Sequence, residues 1–203
     1  MLIISLAFAI AGPFAEIVYF KDWWNPITIF GSFISLEPII IGFAIGGIAS
    51  IIAEEILGEK HKNIKKSKNT FKKKDLNIFL LLFSLAVIFF GSFFLLKLNS
   101  LITTIFSFGI PTTLIYLKRR DLIFNSIISG ILLILIAINV YTFVEFITPG
   151  WIDAFWQFNN TSKIIIFNLP INDFLWYFLC GAFIGPLYEY WREAKLIRIK
   201  KRN

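Results

Sequence analysis

The stretch LPINDFLWYFLCGAFIGPLYEYW, residues 169–191, decides the fold, because it has the length and apolar character of a membrane-spanning helix. A helix needs about 20 mostly apolar residues to cross a hydrocarbon core. This stretch also carries an acid near each end, Asp173 and Glu189. Acids inside apolar segments are energetically costly and commonly mark function. The stretch therefore predicts both a membrane fold and a site within it.

Five further apolar blocks accompany this one in a chain of 203 residues that is 57% hydrophobic with a mean hydropathy of +0.75. Soluble domains are usually about 45–50% apolar. The first block lacks a basic leader and a small-residue cleavage site, which indicates a retained helix. We predict an all-α integral membrane bundle of about six helices in a single domain, 1–203. The predicted spans are 2–20, 31–57, 77–95, 99–117, 121–147 and 164–191.

The charge distribution predicts an orientation. The chain has a net charge of +7, and all but three of its 20 basic residues fall in a lysine-rich loop (58–76), a short turn after 117 and the C-terminal tail. Only Lys21, Lys97 and Lys163 lie on the other side of the predicted bundle. Such asymmetry follows the positive-inside rule and predicts a multi-pass plasma-membrane protein with both termini in the cytoplasm. Because the charges cluster at the ends of apolar blocks, we expect no nucleic-acid partner.

An internal repeat is visible when residues 37–55 are aligned with residues 172–190. Gly46 then meets Gly181, and Glu54 meets Glu189. The preceding spans also resemble each other, since each has an acid near its end. We predict a degenerate parallel repeat, in which 1–57 and 121–191 are paired units and 77–117 is a hairpin between them.

The acids in the spans sort into two sets by depth. The outer set is Glu16, Glu37, Glu145 and Asp173, with Asn172 beside the last; the inner set is Glu54, Glu55 and Glu189. For the inner acids, ion pairing with the basic residues of the loops explains their presence as well as a functional role does. Among the outer acids, Glu16 and Glu145 can alternatively reach water at helix ends.

Carboxyl groups crowded in a poorly hydrated pocket favour a state in which one holds a proton while its neighbour is ionised. That arrangement suits general acid–base chemistry on a substrate with few polar groups. Nearby aromatic faces, including Trp176, can stabilise a positive charge by cation–π attraction.

Two segments carry a resemblance to a known family. The segments "LPINDFLWYF" with "GAFIGPLYEYW", and "GPFAEIVYFKDWWNPITIFG" with "LEPIIIGFAIGGIASIIAEE", resemble the membrane-embedded lycopene cyclase domain family, the non-flavin type whose halves are often separate subunits. The resemblance implies cyclisation of the linear ends of lycopene to ionone rings without net redox change. The sequence has no G-x-G-x-x-G fingerprint, and we expect no cofactor.

The resemblance also implies residue roles. The paired acids of the family's second motif fall on Asn172 and Asp173, and those of the first fall on Glu37 and Pro38, so each pair keeps one acid here. Glu37 and Asp173 are then the expected proton donor and acceptor. Glu16 and Glu145 are expected to share or tune that role. The expected substrate-binding residues are Asn172, Trp176, Glu54 and Glu189, the last two at the position of the family's trailing acid.

Two other classes fit the same pattern. Intramembrane acids, repeats and proline-interrupted helices also suit a small proton-coupled transporter, and a non-catalytic membrane subunit needs no site at all. A prenyltransferase is disfavoured, because no D-x-x-x-D pair is present to hold Mg²⁺. One cysteine, Cys180, and a lone His61 predict no metal site. The expected partners are a polyene or isoprenoid substrate, the lipid bilayer, further copies of the chain and carotenoid-pathway enzymes.

Overall fold

The chain forms a bundle of apolar helices. The structure is a computed structural model that describes residues 1–29, 31, 35–63, 71–158 and 163–198. The part of the predicted basic loop at 64–70 and the last residues of the tail lie outside the described residues. The elements in chain order are α1 (Leu2–Asp22), α2 (Leu36–Ala49), α3 (Ile52–Leu57), β1 (Glu59–Asn63), α4 (Phe71–Phe90), a π-helical turn (Gly91–Leu95), α5 (Ser100–Lys118), a 3-10 turn (Arg120–Leu122), α6 (Ile123–Ile147), α7 (Trp151–Phe155), β2 (Ile165–Ile166), β3 (Leu169–Pro170), α8 (Ile171–Ile184), α9 (Leu187–Arg192) and β4 (Ala194–Arg198).

The all-α membrane fold predicted from the sequence is confirmed. Among the described residues, five helical stretches are long and apolar enough to cross a membrane. They are Leu2–Asp22, Leu36–Leu57, Asn77–Leu95, Ser100–Lys118 and Arg120–Ile147. The sixth predicted span differs, because α8 and α9 are separated at Gly185 and Pro186. A sixth crossing therefore stays a prediction.

The predicted sixth span also begins later than residue 164. Residues 165–170 form a small antiparallel hairpin in which Ile166 pairs with Leu169. Its two turn residues, Phe167 and Asn168, have φ values of +50° and +57°. A two-residue turn with positive φ at both positions matches the right-handed twist of the two strands that it connects. Helix α8 starts only after Pro170, which is the last residue of β3 and still has an extended backbone, with φ −57° and ψ +139°.

The helices pack most extensively as α1 on α2 and α6 on α8. Glycines allow this close approach: a Cβ on Gly42 would lie 2.2 Å from the carbonyl oxygen of Phe8, and one on Gly181 would lie 2.6 Å from the Cα of Gly130. These are the helix pairs that the predicted repeat would relate. The packing agrees with that repeat, which stays a prediction.

Two ends of the bundle can be distinguished. At the sheet end, β1 pairs antiparallel with β4, which joins the predicted basic loop to the C-terminal tail. Met1 also lies at this end, since its side chain approaches Gly47 near the end of α2. The opposite end, called the α7 end, holds α7, the β2–β3 hairpin and the end of α1. No pattern in the sequence predicts the sheet, because its strands are short and mostly polar.

Candidate functional site

The site is built around Asp173 at the α7 end. This residue lies in the first turn of α8, yet only 4% of it is exposed. The indole N–H of Trp23 donates a hydrogen bond to Oδ1 at 2.8 Å. The indole N–H of Trp156 donates to Oδ2 at 2.8 Å, and the hydroxyl of Tyr141 donates to the same oxygen at 3.2 Å. Both carboxyl oxygens are therefore covered by protein donors, which offsets the cost of burying the group.

Backbone contacts fix the two indole donors in place. Trp23 ends α1 and Trp156 ends α7. The segment after α1 runs beside the end of α7, with the amide of Asn25 donating to the carbonyl of Phe155 at 2.8 Å and the amide of Gln157 donating to that of Trp23 at 2.8 Å. The donors thus belong to a joint between the first and the last thirds of the chain.

A layer of aromatic rings surrounds this carboxyl group. Trp156 contacts Trp151 edge to face, with ring centroids 4.9 Å apart, and Tyr141 contacts both rings. Tyr141 also lies edge to face with Tyr177, 6.1 Å between centroids. Edge-to-face pairs of this kind add stability beyond the area they bury.

A second hydrogen-bonded row continues the aromatic layer towards α5. The indole N–H of Trp176 donates to the hydroxyl of Tyr19 at 2.9 Å. That hydroxyl lies 2.9 Å from the hydroxyl of Thr104, which itself donates to the carbonyl of Ser100. Since the proton of Thr104 is used, Tyr19 is the donor in their shared bond. Trp176, predicted to bind substrate, is thus part of the wall around Asp173.

Glu16 is the second buried acid at this end. It is 6% exposed and accepts a hydrogen bond from the indole N–H of Trp24 at 3.1 Å. Trp24 lies against Trp156, with ring centroids 5.4 Å apart. One pair of aromatic rings therefore separates Glu16 from the Asp173 site. The structure brings these two predicted residues into one region.

Glu37 and Glu145 are placed differently. The carboxylate of Glu37 accepts hydrogen bonds from the amide of Ile29 at 2.7 Å and from the hydroxyl of Ser35, so it links both residues to the first turn of α2. Glu145 accepts a bond from the amide of Gly150 at 2.8 Å and holds the turn between α6 and α7. Neither shares a hydrogen-bond partner with Asp173 among the described residues. The expectation that Glu37 and Asp173 form one pair has no support in these contacts, because local backbone groups occupy Glu37.

Glu54 and Glu189 meet at the sheet end. Glu54 lies on α3 and Glu189, which is 1% exposed, lies on α9, and the two side chains are neighbours. The helices place this pair at the opposite end of the bundle from Asp173. Asn172 is half-buried beside Asp173 on α8. The substrate-binding roles of these residues stay predictions.

An open cavity of about 600 Å³ also lies at the sheet end. Its lining is charged and mixed in sign, with Arg119 and Lys195 beside Glu59, Asp121 and Glu193. It is remote from the aromatic layer. Among the described residues, no three His, Cys, Asp or Glu side chains are grouped so that they could hold a metal ion.

Sequence reasoning placed Trp156 near the outer acids as an aromatic face, but it did not predict that Trp23, Trp156 and Tyr141 donate hydrogen bonds to Asp173. In the sequence, Trp23 and Trp156 fit aromatic belts at the membrane surface, which is where Trp is commonly enriched. Tyr141 lies one helical turn before Glu145 and carries no separate signal. A search for Trp and Tyr residues at the predicted depth of a buried acid would have found these three residues, because a buried carboxyl group needs hydrogen-bond donors.

These features define a polytopic helical membrane protein with an aromatic-enclosed carboxyl group near one end of the bundle. Residues 99–191 match the lycopene cyclase family, which confirms the resemblance predicted from the sequence. The matched part runs from the start of α5 into α9 and includes Tyr141, Trp156 and Asp173, whereas α1 to α4 lie outside it. No curated protein and no solved structure matched the chain.

Proposed function

We propose that this protein is a lycopene cyclase-like isomerase that forms ionone rings on a linear carotenoid by a proton-initiated, non-redox cyclisation within the membrane. The family match over 99–191 supports the reaction class. The observation that carries the proposal is the position of Asp173: a buried carboxyl group with three aromatic hydrogen-bond donors.

The chemistry requires three things of a site. A group must give a proton to a terminal double bond, the ring cation must be stabilised without being captured by water, and a proton must then be removed. A buried carboxyl group can supply and accept the proton. Faces of Trp and Tyr rings attract a cation, by about 2 kcal/mol or more where water is excluded. Trp151, Trp156, Tyr141 and Tyr177 offer such faces around Asp173.

Glu16 is the best-placed second acid. It is buried at the same end of the bundle, and its contact with Trp24 leads directly to the ring of Trp156. We assign it the tuning or proton-accepting role that was expected of Glu16 and Glu145 together. In this proposal Glu37 and Glu145 mainly stabilise the local backbone through the hydrogen bonds that they accept. Glu54 and Glu189 contact the far part of a long substrate.

The membrane setting suits the substrate. Five stretches expose apolar side chains over lengths that match a bilayer, and a polyene dissolves in the same medium. We place the protein in the plasma membrane with the sheet end towards the cytoplasm, because most of its basic residues belong to that end. Further copies of the chain or enzymes that make and consume carotenoids are the proposed partners.

The test is conversion of lycopene in cells that accumulate it. Expression of the full chain, shown by immunoblot to be in the membrane fraction, should yield β-carotene or γ-carotene by chromatography of the pigments. Unchanged lycopene with the protein stably inserted would refute the proposal. Uptake of a solute into vesicles that depends on a proton gradient would instead indicate that the protein is a transporter.

A further inference from the structure

We propose that helix α7 is a lid over Asp173, which turns about residues 148–150 and so admits one end of the polyene to the carboxyl group. This inference rests on the proposed cyclase function. It begins from the burial of Asp173, which is 4% exposed and has hydrogen-bond donors on both carboxyl oxygens. Before a substrate can touch either oxygen, at least one of the three donor side chains must move away.

Two of the three donors belong to long helices that pack closely on their neighbours. Trp23 ends α1, which packs on α2, and Tyr141 lies within the 25-residue α6, which packs on α8. Glycine contacts with backbone atoms hold both helix pairs together. Trp156, in contrast, directly follows the five-residue α7, whose single buried side chain is Ile152. The donor next to α7 is therefore the one that can move at the lowest cost.

The turn before α7 has the features of a hinge. Gly150, which directly precedes α7, has φ +81°, a conformation that glycine adopts without strain. Two buried polar atoms beside it, Oε2 of Glu145 and the indole N–H of Trp151, have no hydrogen-bond partner among the described residues. Unpaired buried polar atoms are costly, so the closed position is less stable than a fully hydrogen-bonded one. A movement of α7 that brings these atoms to water offsets part of the cost of opening.

The far end of α7 is held by a latch, defined here as two backbone hydrogen bonds. The amide of Asn25 donates to the carbonyl of Phe155, and the amide of Gln157 donates to that of Trp23, both at 2.8 Å. Both bonds link the end of α7 to the end of α1 and the segment that follows it. Separation of the latch therefore releases the end of α7, and with it the neighbouring indole that donates to Asp173.

The position of α7 also limits the cost of opening. It lies outside the five stretches that can cross a membrane, at one end of the bundle. The side chains of Ile152 and Trp156 that opening uncovers meet the membrane surface, where Trp is commonly enriched. The ion pair between Asp153 on α7 and Lys163 is exposed, and such pairs contribute little. Closure after substrate entry suits the chemistry, because it keeps water away from the ring cation.

A disulfide across the latch tests the lid. The antiparallel pairing of Trp24 with Trp156 places Asn25 opposite Phe155, at a separation that a disulfide can span. The variant Asn25→Cys/Phe155→Cys is made in a Cys180→Ala background. If opening precedes each turnover, the oxidised protein should cyclise lycopene at least about tenfold more slowly than the same protein after reduction.

The matched control is Lys62→Cys/Lys195→Cys, which crosslinks an opposed pair in the β1–β4 sheet. Its oxidation should change the rate by less than about twofold, because the sheet lies at the other end of the bundle. Each variant is compared with its own reduced form, so a folding defect is not mistaken for an effect of the disulfide. If the latched protein, with its disulfide shown complete by mass spectrometry, is as fast as its reduced form, the lid is refuted while the cyclase function stands.

A second test needs no turnover. In the purified substrate-free chain, hydrogen exchange at the amides of Asn25 and Gln157 reports separation of the latch, because both amides are hydrogen-bonded across it. We expect both amides to exchange at least about tenfold faster than those in the middle of α8, and the latch disulfide to slow both by at least about tenfold. Exchange as slow as in α8, or exchange that the disulfide leaves unchanged, would refute the lid whether or not lycopene is cyclised.

Discussion

At the scale of single residues, the buried carboxyl group of Asp173 depends on donors from distant parts of the chain. Trp23 lies 150 positions away in sequence, and Trp156 lies 17 positions away. A hydrogen bond to a charged group contributes about 1.5–3 kcal/mol. The stability of the α7 end should therefore respond to loss of a single indole N–H.

Trp156→Phe tests this dependence against a neighbouring ring. Trp151 touches the same cluster, but its buried indole N–H donates to no partner among the described residues. Trp156→Phe should lower the free energy of unfolding by about 1–3 kcal/mol more than Trp151→Phe, because only the first change removes a bond to Asp173. Thermal unfolding of the detergent-solubilised protein measures the difference. Equal losses in the two variants would show that the bond to Asp173 is not stabilising.

Asp173 itself could be predicted from the sequence, since an acid in an apolar segment is costly and stands out. Its surroundings could not. The partners of a buried acid are set by tertiary packing, and Trp23 and Tyr141 reach it from helices whose relative rotation leaves no trace in the sequence. A shared depth and the family resemblance link Glu37 to Asp173 in the sequence, whereas in the structure Glu37 binds the amide of Ile29 and the hydroxyl of Ser35.

At the scale of elements, the contact of α6 with α8 depends on the absence of a side chain at Gly181. A Cβ there would lie 2.6 Å from the Cα of Gly130 and 2.7 Å from the carbonyl oxygen of Ser129. Both are backbone atoms, which cannot move aside without separating the helices. Overpacking of this kind costs about 1–3 kcal/mol.

Gly181→Ala should therefore lower the melting temperature of the solubilised protein. The matched control is Gly109→Ala inside α5, where an added Cβ would have nothing within 4 Å of it. That change should be neutral or stabilising by up to about 1 kcal/mol, because Ala favours a helix more than Gly does. A Gly181→Ala protein as stable as the control would contradict the close packing of α6 on α8.

Arg119 joins three elements at the sheet end. Its guanidinium donates to the carbonyl of Glu189 at 3.1 Å and to that of Ala194 at 2.9 Å, and it forms an ion pair with Asp121 at 2.7 Å. The hydrogen bonds that it donates to Asp121 raise the pKa of Arg119 above its ordinary value, so the group stays charged. A lysine ammonium cannot reproduce this planar fork.

Arg119→Lys should loosen β4 while keeping the charge. We expect trypsin to remove the C-terminal tail several-fold faster than in the unmodified protein, as followed by mass spectrometry. Arg120→Lys, at a neighbouring position, is the control and should leave the rate unchanged. If both variants are cut at the same rate, Arg119 does not hold the strand.

At the scale of the whole molecule, the two ends of the bundle should face opposite sides of the membrane. The basic loop and the tail meet in the β1–β4 sheet, which agrees with the predicted placement of both on the same side of the membrane. In a Cys180→Ala background, an impermeant maleimide should label Lys163→Cys in intact cells, and should label Lys195→Cys only after permeabilisation. The reverse pattern, or labelling of both from one side, would contradict the orientation.

The sequence was sufficient for the overall class, because apolar blocks of membrane length and biased loop charges are strong signals. It was insufficient where local structure interrupts those blocks. The hairpin at 165–170 and the break at Gly185 both lie in one apolar run, and composition does not separate a short strand or a kink from a continuous helix.

The central claim is that the carboxyl group of Asp173 carries the proton of cyclisation. The most direct measurement compares Asp173→Asn with Asp153→Asn in lycopene-accumulating cells, with cyclic product normalised to membrane-inserted protein. Asp153 lies on nearby α7, but its exposed carboxylate pairs only with Lys163 among the described residues. We expect Asp173→Asn to lower product formation by about 100-fold or more and Asp153→Asn to change it by less than about twofold. Equal product from the two variants would contradict the account.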